Sequence, residues 1–144
     1  MALVDTNIFL YAADEYSSGH LVCLDLLRGL RQQSEPWHAS WPILNEFLRV
    51  ATHSRVWKRP WTAGAAWKFV EAILASPGFS VLIPTSRHPM ILGQILRETP
   101  NLQGNIFHDV HTAALMREHQ IRTIYTHDAD FQRFSFLEVA DPLA

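Results

Sequence analysis

Short apolar segments alternate with stretches of helical periodicity along this sequence. The first apolar run ends at Asp5, and residues 8–11 continue as an apolar run into a polar turn at 14–19. Leucines then recur at three-residue steps, which predicts a helix over about 20–33. The apolar stripe predicted for this helix consists of Leu21, Leu24, Leu27 and Leu30, widened by Val22 and Leu26.

The rest of the chain continues this alternation. After Pro36, Ser40 or Trp41 is expected to cap a helix with Pro42 in its first turn, and Thr62 is expected to cap the next one. The predicted elements are a strand at 37–40, helices at 41–52 and 62–74, a strand at 81–83, helices at 88–98 and 107–119, a strand at 122–126, a turn at 128–134 and a strand at 136–139. Strands that alternate with helices predict an α/β fold with a parallel sheet covered on both faces.

Composition favours a globular protein with one core. A chain of 144 residues, 48 % of them apolar and 18 % charged, fits a single domain spanning residues 1–144. No apolar run approaches the roughly 18 residues of a membrane span. The only cysteine, Cys23, is expected to be a packed free thiol, and Arg28, the first basic residue, comes too late for a signal peptide. We therefore expect a cytoplasmic protein.

Carboxylates fall where strands end and helices begin. Asp5 ends the first strand, Glu46 and Asp109 lie near helix starts, and Asp128 and Asp130 follow the strand at 122–126. In a parallel sheet these positions share one edge, so we expect the acids to converge there. Taken singly, each has a local alternative, because acids also suit the first turn of a helix and the corners of turns.

Acids that converge in this way predict a metal site. Clustered carboxylates raise one another's pKa unless a cation neutralises them. Four carboxylates would balance two divalent ions, and hard oxygen ligands select Mg²⁺ or Mn²⁺. Paired ions of this kind activate water in phosphodiester hydrolysis. Thr6, Asn7 and Thr126 could orient the ligands by hydrogen bonds.

Four motifs occur in order between Leu3 and about Pro142. They are Val4-Asp5-Thr6-Asn7, Asn45-Glu46-Phe47-Leu48-Arg49-Val50, His108-Asp109-Val110-His111-Thr112-Ala113-Ala114 and Thr126-His127-Asp128-Ala129-Asp130-Phe131. Together they resemble a PIN domain and, more narrowly, the VapC-type toxins of bacterial toxin–antitoxin pairs. The resemblance implies a three-layer α/β/α fold and a Mg²⁺- or Mn²⁺-dependent endoribonuclease that a cognate antitoxin blocks.

Carried over by position, the resemblance assigns four metal-site acids, one candidate fifth ligand and two supporting hydroxyls: Asp5, Glu46, Asp109 and Asp128; Asp130; Thr6 and Thr126. It also implies a homodimer and a small antitoxin whose extended segment enters the groove near the acids. The alternative is a catalytically silent PIN-like module that binds RNA or protein without metal. The intact set of acids weighs against this alternative, because nothing else would keep repelling carboxylates together.

An acid-free interval between Phe47 and Val70 carries five positive charges and three tryptophans: Arg49, Arg55, Lys58, Arg59 and Lys68; Trp57, Trp61 and Trp67. Cations position phosphates and exposed tryptophans stack on unpaired bases, so Arg55, Lys58 and Arg59 are candidates for RNA contact. A charge run is also often a solvated face. Trp67 lies on an apolar stripe and is expected in the core, whereas Trp57 and Trp61 could contact a second subunit or an antitoxin segment.

Histidines near the acids suggest a different chemistry. His108 and His111 flank Asp109 at helical spacing, and His127 precedes Asp128, as in a transition-metal hydrolase with imidazole ligands. The pair lacks a fuller ligand signature, so the carboxylate site is the preferred interpretation.

Overall fold

The computed structural model describes residues 1–144 and places all five strands in one parallel sheet. The strands are β1 (Ala2–Val4), β2 (Trp37–Ser40), β3 (Phe79–Leu82), β4 (Thr123–Tyr125) and β5 (Glu138–Ala140), in the spatial order β3-β2-β1-β4-β5. Leu3 on β1 lies opposite His38 on β2 and Ile124 on β4. The chain builds outward from β1 to β3 and then returns to the other side of β1, so the strand order reverses between β1 and β4.

Six helices complete the predicted three-layer α/β/α fold: α1 (Thr6–Ala13), α2 (His20–Gln32), α3 (Trp41–Ala51), α4 (Ala63–Leu74), α5 (His88–Glu98) and α6 (Phe107–Glu118). Helix α1 packs against α2 and α3, α3 packs against α4, and α5 packs against α6. Short 3-10 turns lie at Gly104–Ile106 and Ala129–Arg133. None of the six helices has the length and apolar composition needed to cross a membrane.

Most predicted elements are confirmed, with ends that differ by at most two residues. The expected caps are also present: the Ser40 hydroxyl accepts from the backbone N–H of Ile43 at 3.4 Å, and the Thr62 hydroxyl accepts from Ala65 at 3.1 Å. Cys23 is buried and free, as expected.

Residues 8–11, to which the sequence pattern assigned no helix, belong to helix α1. The Asp5 side chain accepts a hydrogen bond from the backbone N–H of Thr6 at 2.8 Å and thereby caps this helix. Ile8, Phe9 and Ala12 are buried at helical spacing. A four-residue apolar run does not by itself distinguish a strand from a buried helical turn.

The predicted stripe of α2 is only partly correct. Cys23, Leu27 and Leu30 are buried, whereas Leu21 is 68 % exposed and Val22 is 46 % exposed. Residues three apart differ by roughly 60° around a helix of 3.6 residues per turn, so three such steps reach the opposite side. The buried residues instead follow steps of four and three, which keep them on one face.

The prediction that Trp67 lies in the core is wrong. Trp67 is 42 % exposed because α4 buries Ala66, Val70 and Ile73, and Trp67 lies beside that stripe. Trp57 is buried, and the ring of Trp61 packs edge-on against Phe47 and Phe69 within the same chain. These two side chains therefore contribute to this chain's own packing.

One residue of the missed helix lends itself to a stability test. Phe9 is fully buried in α1, so Phe9→Ala should lower the free energy of unfolding by about 3–5 kcal/mol through lost burial and a new cavity. Phe107 is 44 % exposed and provides the matched control, because Phe107→Ala should cost about 1 kcal/mol or less. Urea denaturation followed by tryptophan fluorescence measures both, and equal losses would contradict the position assigned to α1.

Candidate functional site

The predicted acids lie around one cleft at the carboxyl edge of the sheet. The cleft has a volume of about 740 Å³, and all five acids line it: Asp5, Glu46, Asp109, Asp128 and Asp130. Asp5 follows β1, and its backbone N–H donates to the carbonyl of Tyr125 on β4 at 3.0 Å. The cleft thus lies where the strand order reverses, which is the usual ligand position in open α/β sheets.

Asp5 is held by hydrogen bonds to both carboxylate oxygens. Oδ1 accepts from the backbone N–H of Thr6 at 2.8 Å. Oδ2 accepts from the Thr126 hydroxyl at 2.8 Å and from the Asn7 amide at 3.3 Å. The hydroxyl of Thr6 does not contact Asp5 but donates to the carbonyl of Ile43 at 3.0 Å, which ties α1 to α3.

Thr126 joins the two halves of the site. Its buried hydroxyl donates to Asp5, and the same oxygen accepts from the Asn7 amide and from the backbone N–H of Asp128, both at 3.0 Å. The Asn7 carbonyl oxygen in turn accepts from the backbone N–H of His127 at 3.1 Å. Asn7 and Thr126 therefore orient the acids, whereas Thr6 supports them through its backbone.

Three carboxylates form a tighter group within the cleft. One oxygen from each of Asp109, Asp128 and Asp130 lies within 4.8 Å of the other two. The Asp128 side chain also accepts from the backbone N–H of Asp130 at 2.9 Å, which fixes the turn after β4. The candidate fifth acid, Asp130, thus belongs to the closest group, whereas Asp5 and Glu46 line the same cleft outside it.

Glu46 is paired with a cation in this structure. The guanidinium of Arg49 donates from Nε to Oε2 at 2.9 Å and from a terminal nitrogen to Oε1 at 2.7 Å. These hydrogen bonds hold the pKa of Glu46 below its ordinary value. Glu46 is therefore ionised and directed to Arg49 rather than to the three aspartates.

Asp5 and Asp109 have pKa values shifted in the opposite direction. Burial raises the pKa of Asp5, against the hydrogen bonds from Thr126 and Thr6. Burial and the nearby charges of Asp128, Asp5 and Asp130 together raise the pKa of Asp109 to about 7. Crowded carboxylate oxygens with too little positive charge are the donor set that a hard divalent cation fits.

Sequence reasoning missed the cations next to these acids. Arg49 was counted only as part of the basic interval, although its spacing of three from Glu46 on a helix predicts a pair. A terminal nitrogen of Arg133 lies 4.0 Å from Asp130 and is three residues away in sequence. Both signals could have been found from the sequence alone.

The histidines do not form a ligand set with the acids. His108 lines the cleft, but the ring of His111 packs against that of His88 at 5.4 Å, and His127 bonds Asp141 at 2.8 Å. The group of side chains that could hold a metal contains only aspartates. This arrangement favours the carboxylate interpretation over imidazole ligation.

The candidate RNA-contact residues lie outside the acidic cleft. Arg55 and Lys58 are exposed in the loop before α4, and neither lines the cleft. Arg59 stacks on Tyr16, with 4.0 Å between its guanidinium carbon and the ring centroid. Together with Trp57, these two residues line a second cavity of about 250 Å³.

Comparison with known proteins identifies a family and several relatives that are similar to this chain. Residues 2–137 match the PIN domain family. Ribonuclease VapC37 of Mycobacterium tuberculosis is 34 % identical over 144 residues, which cover 100 % of this chain and 99 % of the relative. The crystal structure of M. tuberculosis VapC20, described as a Sarcin-Ricin loop cleaving toxin, superposes with a TM-score of 0.68 at 20 % identity, covering 96 % of this chain and 98 % of that one. VapBC-1 from nontypeable Haemophilus influenzae gives a TM-score of 0.69 at 18 % identity, covering 99 % and 98 %.

The raised pKa of Asp109 predicts how the stability of the metal-free protein depends on pH. Between the ordinary value of 3.8 and about 7, the folded chain keeps a proton that the unfolded chain has released, so stability falls as pH rises through this range. Asp109→Asn lacks this charge and should be more stable than the parent at pH 8 by about 1–2 kcal/mol, allowing for solvent screening. At about pH 4 the two should be nearly equal.

Urea denaturation in EDTA at both pH values measures this difference. Asp25→Asn is the control, since the Asp25 side chain is 76 % exposed on α2 and its loss should not give a pH-dependent gain. An Asp109→Asn gain of the same size at pH 4 and pH 8 would show that repulsion in the cleft is not its cause.

Proposed function

This chain belongs to the PIN domain family, and we propose on that premise that it is a metal-dependent endoribonuclease that acts as the toxin of a toxin–antitoxin pair. The observation that carries the proposal is the cleft in which Asp109, Asp128 and Asp130 lie within 4.8 Å of one another, with Asp5 and Glu46 beside them. A full-length relative named as a ribonuclease supports the same activity.

The aspartates are the proposed ligands of Mg²⁺ or Mn²⁺, with Glu46 completing the set once it leaves Arg49. When bound, such ions activate a water molecule and stabilise the leaving oxygen of a phosphodiester. The side chains of this protein orient the ligands and supply negative charge. Thr126 and Asn7 fix Asp5, the turn after β4 fixes Asp128 and Asp130, and ionised Asp109 supplies negative charge.

Binding of RNA needs positive charge outside the acid cluster. We assign Arg55, Lys58 and Arg59 to contacts with flanking phosphates, because they are exposed in an interval that contains no acid. Phosphate contacts of this kind set affinity and register without reading the base sequence. Trp67, which is 42 % exposed, is available in the same interval to stack on an unpaired base.

The proposed partners follow from the same relatives. The structure of H. influenzae VapBC-1 is similar over nearly the whole chain, which supports a VapB-like antitoxin as the protein that blocks this cleft. We also propose a homodimer and a cytoplasmic site of action, where RNA substrates are present. Light scattering on the purified chain measures the first of these directly.

Asp5→Asn tests the nuclease proposal. Asparagine is also a good N-cap, so α1 should be kept while the cleft loses one charge. We expect Mn²⁺-dependent cleavage of a labelled single-stranded RNA to fall by at least about a hundredfold, on the order of 3 kcal/mol in the barrier. Growth inhibition on expression should also be lost.

The matched control is Asp25→Asn, which should cut at the parent rate. If purified Asp5→Asn cut RNA as fast as the parent, the assignment of this cleft to catalysis would be wrong. Circular dichroism of both variants checks that α1 and the rest of the fold are retained.

Calorimetric titration with Mn²⁺, in the absence of RNA, distinguishes the nuclease from a silent PIN-like module. The parent should bind Mn²⁺ with release of protons, because Asp109 must ionise to act as a ligand. Asp109→Asn should bind at least about tenfold more weakly. A parent chain that binds no Mn²⁺ would support the silent module instead.

A further inference from the structure

The carboxylates of the acidic cleft would repel an RNA substrate. RNA is a polyanion, and five carboxylates line the space that its backbone would enter. Arg49 is the only lysine or arginine among the lining residues. Arg133 also lies close to the acids but approaches Asp130 from outside that lining, at 4.0 Å.

The geometry of Arg49 leaves part of its guanidinium free. Two N–H groups point to the two oxygens of Glu46, at 2.9 and 2.7 Å. A guanidinium carries five N–H donors, so about three remain, and the side chain is 56 % exposed. Arg49 therefore faces the cleft with donors that no protein group accepts.

Stability is a weak reason for this arrangement. Exposed ion pairs contribute about 0–1 kcal/mol to folding, and the pair leaves both side chains about half exposed. A planar fork of donors next to carboxylates suits phosphate oxygens, which guanidinium groups bind in the same bidentate way. Arg49 also lies one helical turn from Glu46, so each of these two side chains can leave the other for a new partner without any movement of α3.

We propose that Arg49 is a substrate-binding residue of this cleft, which contacts a non-bridging phosphate oxygen of the RNA next to the acid cluster. The inference rests on the proposed nuclease function. In the free protein the guanidinium holds Glu46, and when RNA enters, its remaining donors engage the phosphate. Arg49 thus adds positive charge, beside the proposed divalent ions, that favours entry of a polyanion into a cleft lined by acids.

Cleavage kinetics test this assignment. Arg49→Ala should raise the KM for a fluorescein-labelled single-stranded RNA by about tenfold, because one charged contact to phosphate is lost. Arg49→Lys should recover part of the loss, since a lysine keeps the charge but not the fork. Arg28→Ala is the matched control, because Arg28 also pairs with an acid three residues away on a helix but does not line the cleft.

A second measurement separates phosphate binding from an indirect effect through Glu46. Mn²⁺ titration without RNA should give an affinity for Arg49→Ala equal to or tighter than that of the parent. Binding of the same RNA to Asp5→Asn, followed by fluorescence anisotropy in Mn²⁺, should weaken about tenfold when Arg49→Ala is added. A loss of Mn²⁺ affinity in Arg49→Ala would overturn the proposal, since Arg49 would then act by positioning Glu46.

The outcomes also keep this inference apart from the nuclease proposal. If the parent cuts RNA and Arg49→Ala has the parent KM and RNA affinity, the inference fails and the nuclease stands. If the parent cuts no RNA, the nuclease proposal fails, and anisotropy with the parent and Arg49→Ala still decides whether Arg49 binds the RNA backbone.

Discussion

Repulsion between carboxylates governs the organisation of this protein. The acids that line the cleft come from the end of β1, α3, α6 and the turn after β4. Burial and the like charges of its neighbours raise the pKa of Asp109 to about 7. Such a group does not assemble by its own attraction. The parallel sheet and the hydroxyl of Thr126 hold these acids in place, since that oxygen bonds to Asp5, Asn7 and Asp128 at once. The folded sheet thus stabilises a site that is unfavourable without a cation.

Asp5 shows how much of the site could be predicted from the sequence. An acid directly after a buried strand has few structural reasons to be there, and strand ends in a parallel sheet share an edge, so its place and its convergence with the other acids could be predicted. Its second role could not. Asp5 also caps α1, and that helix was missed because a short apolar run fits a strand as well as a helical turn. Likewise, the spacing of leucines did not identify the buried face of α2, a helix that packs against α1.

The relations between side chains were the harder part to predict. The sequence contains Arg49 and Glu46 in adjacent turns, but whether the pair lies in the cleft depends on how α3 leaves β2. The burial of Trp57 and the exposure of Trp67 were not predicted either, since each depends on what packs over the residue in the folded chain. Strand order is a further case. The reversal between β1 and β4 creates the cleft, and no local pattern encodes which strands are neighbours.

The bond between Thr126 and Asp5 joins residues that are 121 positions apart. A contact of such sequence separation closes a long loop, and the entropy lost in closing it slows folding. During synthesis, a partly made chain contains Asp5 and Glu46 but not the acids that follow β4, and β1 lacks one of its two neighbouring strands. The cleft is therefore completed only when the fourth strand joins the sheet. In a protein with this topology, the acidic site cannot be assembled until most of the chain has been synthesised.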